Sequence, residues 1–136
     1  MRSYRAAVVW SVVGVAVGIL ALTSSLHAQG KWTAPATAVA AKNPVAKSEK
    51  VMAQAKKTFE QSCASCHGPK GLGDGAAAAT LPVKPANWTS PDIQKQSDGE
   101  MFWKISEGRG PMPPWKTILS ENDRWAMVHF IRTFKK

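Results

Sequence analysis

Two cysteines and a histidine stand together in the segment Cys63-Ala64-Ser65-Cys66-His67. The spacing C-x-x-C-H brings two thiols and one imidazole within about one turn of backbone. The thiols can add to the vinyl groups of a porphyrin, while the neighbouring imidazole ligates its iron. The segment therefore predicts one covalently attached haem c, held by Cys63, Cys66 and His67.

The same cysteine pair is also compatible with a redox dithiol or with zinc. A thioredoxin-like dithiol needs a βαβ context, whereas the residues after His67 are rich in glycine and show no strand pattern. Structural zinc needs four ligands, and the chain has only two cysteines, so His27 and His129 would have to complete the site from distant positions. We therefore favour haem over both alternatives.

A second iron ligand is predicted at Met112, within the segment Gly-Arg-Gly-Pro-Met-Pro-Pro-Trp that runs from position 108 to 115. The flanking prolines fix the backbone around the thioether, and methionine is a usual axial ligand of electron-transfer haems. Other methionines and a histidine lie in helical patterns, where ordinary packing is the expected role: Met52, Met101, Met127 and His129.

The first 28 residues resemble an export signal. Arg2 and Arg5 precede an apolar run over residues 6–22, and Leu26-His27-Ala28 ends in a small residue, as a cleavage site does. The apolar run is at the lower limit of what can span a bilayer, so an uncleaved membrane anchor is the alternative. In both cases the remainder is expected in the periplasm, free or attached to the inner membrane.

Residues 29–47 are rich in Ala, Pro and Lys and contain Pro35 and Pro44, so we predict a linker there. It would be a tether if the anchor is kept and a frayed terminus if it is cleaved. Residues 48–136 then form the haem domain. This unit is too small to bury a large core without help, and a covalent macrocycle would supply apolar interior.

The haem domain is predicted to be all-α, with three to four short helices and long loops around one haem. Ser48, Ser97 and Ser120 are candidate N-caps, and Glu100 and Asp123 stand three residues after the last two. Gly108 is expected to end the middle helix. Residues 68–91 carry repeated glycines and prolines, which predicts a long loop that wraps something.

The chain resembles the class I monohaem cytochromes c over about residues 51–134. The likeness rests on the C-x-x-C-H motif and on three further segments. These are Gly-Leu-Gly-Asp-Gly at 71–75, Met-Pro-Pro-Trp at 112–115, and Leu-Ser-Glu-x-Asp-x-Trp-x-x-x-x-Phe-Ile-Arg at 119–132.

This resemblance implies that haem lies between crossing N- and C-terminal helices. Ala55 and Phe59 would then meet Phe130. It also implies that a prolyl carbonyl accepts the second imidazole N–H of His67, and Pro82 and Pro85 are both available.

The expected function is electron transfer between larger respiratory or dehydrogenase complexes, because histidine and methionine together leave no iron position for oxygen or peroxide. We expect no enzyme activity, since no paired carboxylates or activated nucleophile is apparent. Two alternatives remain: a fixed haem subunit of an oxidoreductase, and a five-coordinate haem sensor or peroxidase. Among the tryptophans, Trp115 is the first candidate for a haem neighbour, because it is close to Met112.

The chain carries 18 Lys and Arg against 9 Asp and Glu, and only Arg2 and Arg5 of the basic residues precede position 29. Such an excess can steer docking onto acidic redox partners or an anionic membrane. Nucleic acid is disfavoured by export and by the lack of a basic cluster. The candidate docking residues are Lys56, Lys57, Lys70, Lys84, Arg109 and Lys116.

Overall fold

The computed structural model describes residues 30–136, so the predicted export segment over 1–28 lies outside the described residues. The described part is helical and contains no strand beyond one isolated bridge between Arg109 and Met112, which confirms the all-α prediction. Its helices are α1 (Ala36–Ala40), α2 (Glu49–Ser62), α3 (Ala64–His67), α4 (Pro91–Gln94), α5 (Asp98–Glu107) and α6 (Glu121–Arg132). Two 3₁₀ turns lie at Ala78–Thr80 and Trp115–Thr117.

The three longest helices begin where the sequence predicts. The side chains of Ser48, Ser97 and Ser120 accept the backbone N–H of the residue three positions on, at 3.3, 3.1 and 3.1 Å. Each cap satisfies a donor that the first helical turn leaves unpaired, which is worth about 1 kcal/mol. The additional helices α1, α3 and α4 span one turn each, which is too short to produce an apolar periodicity.

The core lies where α2 and α6 pack against each other. Ala55 and Phe59 are buried on α2, while Val128 is completely buried on α6. The rings of Phe59 and Phe130 are 5.0 Å apart between centroids, which confirms the contact expected between the two helices. Helix α5 packs on α6 and adds the buried side chains of Met101 and Ile105.

Residues 34–45 differ from the linker prediction, because they pack against the helices that follow. Ala34 is 5% exposed, and Ala41 and Val45 lie against the hydrophobic core. The segment includes the short helix α1, which begins directly after Pro35 because proline is tolerated at a helix start. Small residues such as alanine allow a segment to approach a neighbouring helix closely. An alanine-rich composition is also typical of a flexible linker, so the sequence does not distinguish the two.

The segment between α3 and α5 is a long loop with little regular structure, as the glycines and prolines predict. It contains only the 3₁₀ turn at Ala78–Thr80 and the four residues of α4. Trp88 is buried inside it and donates its backbone N–H to Gly71 O at 2.7 Å. Within residues 30–136, no helix has the length and apolar character that crossing a membrane requires.

Candidate functional site

The C-x-x-C-H segment lies at the junction of α2 and α3. Cys63 caps the C-terminus of α2 and donates its N–H to Phe59 O at 2.9 Å, while Cys66 and His67 belong to α3. Both thiols are free and half-buried. Gly68 then takes a positive φ of 76° and ends the helix. The two cysteines and the histidine therefore lie on one short, well-capped segment next to the core.

The thiol of Cys63 is unsuited to dithiol chemistry. Burial, together with the neighbouring Cys66, raises the pKa of Cys63 to about 11. A redox-active cysteine has a lowered pKa, because the thiolate is the reacting form. The site therefore weighs against the redox dithiol that the sequence left open.

The imidazole of His67 is held by a hydrogen bond and by a ring stack. Nδ1 lies 3.1 Å from the carbonyl oxygen of Ala86, and because a carbonyl only accepts, Nδ1 donates and Nε2 keeps its lone pair. The ring stacks on Trp88 at 4.3 Å between centroids and 26° between planes. The expectation of Pro82 or Pro85 as the carbonyl partner was therefore wrong. The partner is Ala86, the residue after Pro85.

Burial lowers the pKa of His67, and the hydrogen bond to Ala86 opposes this only in part. The imidazole is accordingly neutral near pH 7, which is the form that binds a metal. Fixing one ring nitrogen through a carbonyl is the usual way in which proteins orient a ligating histidine.

Met112 lies in the segment between α5 and the 3₁₀ turn at Trp115–Thr117. It exchanges two backbone hydrogen bonds with Arg109: Arg109 N–H donates to Met112 O at 3.0 Å, and Met112 N–H donates to Arg109 O at 3.1 Å. The Met112 side chain is half-buried and packs against the core. A tight two-bond bridge therefore presents the thioether without any helix around it.

His67 and Met112 line one cavity of about 670 Å³. This volume lies in the range of small-molecule and cofactor sites, about 300–1,000 Å³. Its apolar walls include Trp32, Trp88, Met101 and Ile105. The charged lining is basic on balance: Lys31, Lys95 and Lys104 against Asp92 and Glu100. An apolar space with an imidazole, a thioether and excess positive charge fits a porphyrin with anionic propionates.

The structure thus brings two of the four predicted site residues, His67 and Met112, to one cavity, with Cys63 and Cys66 at the adjacent helix junction. Sequence reasoning overlooked Trp32, because its segment was predicted to be a linker. It also preferred Trp115 to Trp88 as a haem neighbour. Trp88 lines the cavity, whereas Trp115 packs against the core. Sequence distance from Met112 does not predict the cavity lining, since the loop after α3 folds back onto His67.

Known protein families and structures give independent comparisons. The family described as Cytochrome C oxidase, cbb3-type, subunit III matches residues 50–131. No curated protein sequence matches the chain.

Solved structures are also similar to the chain, and two of them illustrate the likeness. One is the Kuenenia stuttgartiensis reducing HAO-like protein complex Kustc0457/Kustc0458, at 27% identity and a TM-score of 0.63 over 68% of this chain. The chain spans only 47% of that protein's length. The other is the KustC0563 c-type cytochrome, at 30% identity and a TM-score of 0.53, over 60% of this chain and 98% of that one.

The family match covers more than half of the chain, and it includes the C-x-x-C-H segment and Met112. Of these two structures, one is a c-type cytochrome and the other belongs to a reducing HAO-like protein complex. The chain therefore belongs to the family of cbb3-type cytochrome c oxidase subunit III, and is a c-type cytochrome domain that carries electrons on covalently bound haem c.

Proposed function

We propose that the chain is a class I monohaem cytochrome c whose iron is ligated by His67 and Met112 and whose porphyrin is attached to Cys63 and Cys66. The observation that carries the proposal is that His67 and Met112, from segments far apart in sequence, line the same cavity. His67 offers a neutral imidazole with its Nε2 lone pair available. Met112 offers a thioether from a bridged loop.

Haem c, when bound, supplies a one-electron couple between ferric and ferrous iron. The residues of the chain decide what that couple is used for. Met112, as an iron ligand, would fill the position where a gas or peroxide could bind, and thioether ligation would raise the reduction potential. Trp88, Met101 and Ile105 keep water from the cavity, since all three are buried and apolar. The combination favours outer-sphere electron transfer over substrate turnover.

The partners are proposed to be acidic redox proteins, met in the periplasm after export through residues 1–28. Lys57, Lys70 and Lys84 are exposed, and none forms an ion pair within residues 30–136. Unpaired surface lysines steer docking onto negative surfaces, with rates that fall as salt rises. Two other candidates are partly neutralised, because Lys56 and Lys116 pair with Glu60 and Glu107 at 3.9 and 2.6 Å.

A second candidate function is a fixed haem subunit within an oxidoreductase. The family is described as a subunit of an oxidase, and one similar structure belongs to a protein complex. A free carrier would elute alone from a cell extract at raised salt, because its electrostatic contacts with partners are screened. A subunit would elute with its partners even at raised salt, because surface ion pairs are screened but a buried interface is not.

Met112 and Met101 offer a matched test of ligation, because both thioethers line the cavity. We would record optical spectra of the oxidised, reduced and carbon monoxide-treated holoprotein for Met112→Leu, Met101→Leu and the parent. Leucine keeps the volume of methionine and removes the sulfur.

The proposal expects the sulfur-to-iron charge-transfer band in the parent and in Met101→Leu, with no response to carbon monoxide. Met112→Leu should lose the band and bind the gas. A parent that binds carbon monoxide readily would contradict the proposal and favour a five-coordinate sensor or peroxidase. Loss of the band in Met101→Leu alone would assign the ligand to Met101.

A further inference from the structure

Residues 31–45, called the N-terminal strap here, precede the start of the family match at residue 50. Three side chains hold the strap by hydrogen bonds to the body of the domain. Ser97 Oγ donates to Val39 O at 2.7 Å, and Asn43 Nδ2 donates to Trp125 O at 3.0 Å. His129 Nε2 lies 2.7 Å from Val45 O and donates to it. The strap is therefore a fixed part of the folded domain.

The strap backbone packs directly against Gly99 of α5. A Cβ added at position 99 would collide with the carbonyl oxygen of Ala38 and would lie 2.8 Å from that of Ala41. Both atoms belong to the strap backbone, which cannot move aside as a flexible side chain would. Because alanine is the better helix former, nothing in α5 itself calls for glycine at this position. The close approach of the strap accounts for it.

Trp32, near the start of the strap, connects the strap to the cavity. Its ring packs at 6.3 Å from the ring of Trp103. The guanidinium carbon of Arg109 lies 5.1 Å from the Trp32 ring centroid, and Lys104 Nζ lies 5.7 Å from it. Tryptophan is the side chain that attracts such cations most strongly. Trp32 also lines the cavity together with Met112.

Arg109 connects Trp32 to Met112. It exchanges both of its backbone hydrogen bonds with Met112, while its guanidinium lies against Trp32. A force that holds the Arg109 side chain therefore also holds the bridge that presents Met112.

We propose that Trp32, delivered by the strap, is a positioning residue for Met112. It closes the cavity wall next to the methionine segment and holds Arg109 in place, so that the Met112 thioether stays on the iron against competing ligands. This inference rests on the proposed ligation by Met112.

The test is displacement of Met112 by imidazole in the oxidised holoprotein, followed by loss of the charge-transfer band. Trp32→Ala removes the ring, and Trp32→Phe keeps an aromatic face for Arg109. Gly99→Ala dislodges the strap without changing any strap residue or any residue of the cavity. Val39→Ala is the control, because this strap side chain is 40% exposed.

We expect Trp32→Ala and Gly99→Ala to bind imidazole about tenfold more tightly than the parent, because a lost cation–π contact lowers the cost of local opening. Their reduction potentials should fall as water gains access to the site. Trp32→Phe should recover most of the parent behaviour, and Val39→Ala should match the parent. Far-UV circular dichroism of each variant verifies that the helices are intact.

The outcomes separate this inference from the proposed function. A parent without the charge-transfer band overturns Met112 ligation and the positioning role together. A parent with the band, and variants that bind imidazole as the parent does, overturns the positioning role and leaves the ligation intact. If Trp32→Ala binds imidazole more tightly than the parent and Gly99→Ala does not, the inference that the strap holds Trp32 in position is overturned.

Discussion

Around His67 the backbone is hydrogen-bonded to itself at short range, whereas around Met112 it relies on one bridge and on side chains from elsewhere. On the His67 side, Gly73 N–H donates to His67 O at 2.8 Å and Gly75 N–H donates to Cys66 O at 3.1 Å. On the Met112 side, two hydrogen bonds with Arg109 close the bridge. Trp32, in the N-terminal strap, adds support through the Arg109 guanidinium, whose carbon lies 5.1 Å from the Trp32 ring centroid.

The difference indicates which side of the site opens first. The His67 side is also packed on the core, because His67 stacks on the buried Trp88, which contacts Phe59 and Phe134, so opening this side would expose a large apolar surface. A short bridge can open alone, with little loss of buried surface. We therefore expect the covalent attachment side to remain folded under conditions that release Met112.

The largest expected effect is a difference in the free energy of unfolding between two glycine-to-alanine variants. One glycine, Gly75, lies on the His67 side, and the other, Gly110, lies on the Met112 side. At Gly75 an added Cβ would collide with Ser65 O and would lie 2.6 Å from Ala64 O, whereas at Gly110 it would have no atom within 4 Å. Gly75→Ala should lower the free energy of unfolding by about 3 kcal/mol, and Gly110→Ala should change it by less than about 0.5 kcal/mol. Denaturant unfolding of the two holoproteins measures both values.

Gly110→Ala is the matched control, because the substitution is the same and only the surroundings differ. If Gly75→Ala attaches no haem during maturation, that too supports a rigid attachment side, provided that Gly110→Ala matures normally. Equal stability of the two variants would remove the basis for the comparison.

A smaller effect is expected from the ring that stacks on His67. Trp88 is 6% exposed and also contacts Phe59 and Phe134 at 5.6 and 5.7 Å between ring centroids. Trp88→Leu should lower the free energy of unfolding by about 2 kcal/mol through lost packing. Trp88→Phe retains a ring and should lower it by about 1 kcal/mol.

The reduction potential separates packing from orientation in these Trp88 variants. If the stack orients the imidazole, Trp88→Leu shifts the potential and Trp88→Phe shifts it less. Destabilisation with an unchanged potential in both variants would show that Trp88 serves the core and not the ligand.

The features that sequence predicted well are local. Ser48, Ser97 and Ser120 each accept a hydrogen bond from a backbone N–H three residues away. A few neighbouring residues therefore determine where each helix begins. The C-x-x-C-H spacing is local in the same way, and the family match and similar structures support the haem that it predicts.

The features that sequence missed depend on long-range contacts. Asn43 bonds to Trp125, 82 positions away, and Val45 to His129, 84 positions away. No local pattern separates an alanine-rich strap that packs from one that does not. The carbonyl partner of His67 is another example: whether Pro85 or Ala86 faces the ring depends on the path of a loop that folds back from Gly71.

Met112 is proposed to ligate the iron from the side of the site that fewer backbone hydrogen bonds hold. The most direct test is a denaturant titration of the oxidised holoprotein, followed both at the sulfur-to-iron charge-transfer band and by far-UV circular dichroism. We expect a band in the native protein that disappears at a lower denaturant concentration than the helical signal. A native protein without the band, or a band and a helical signal that are lost together, would contradict it.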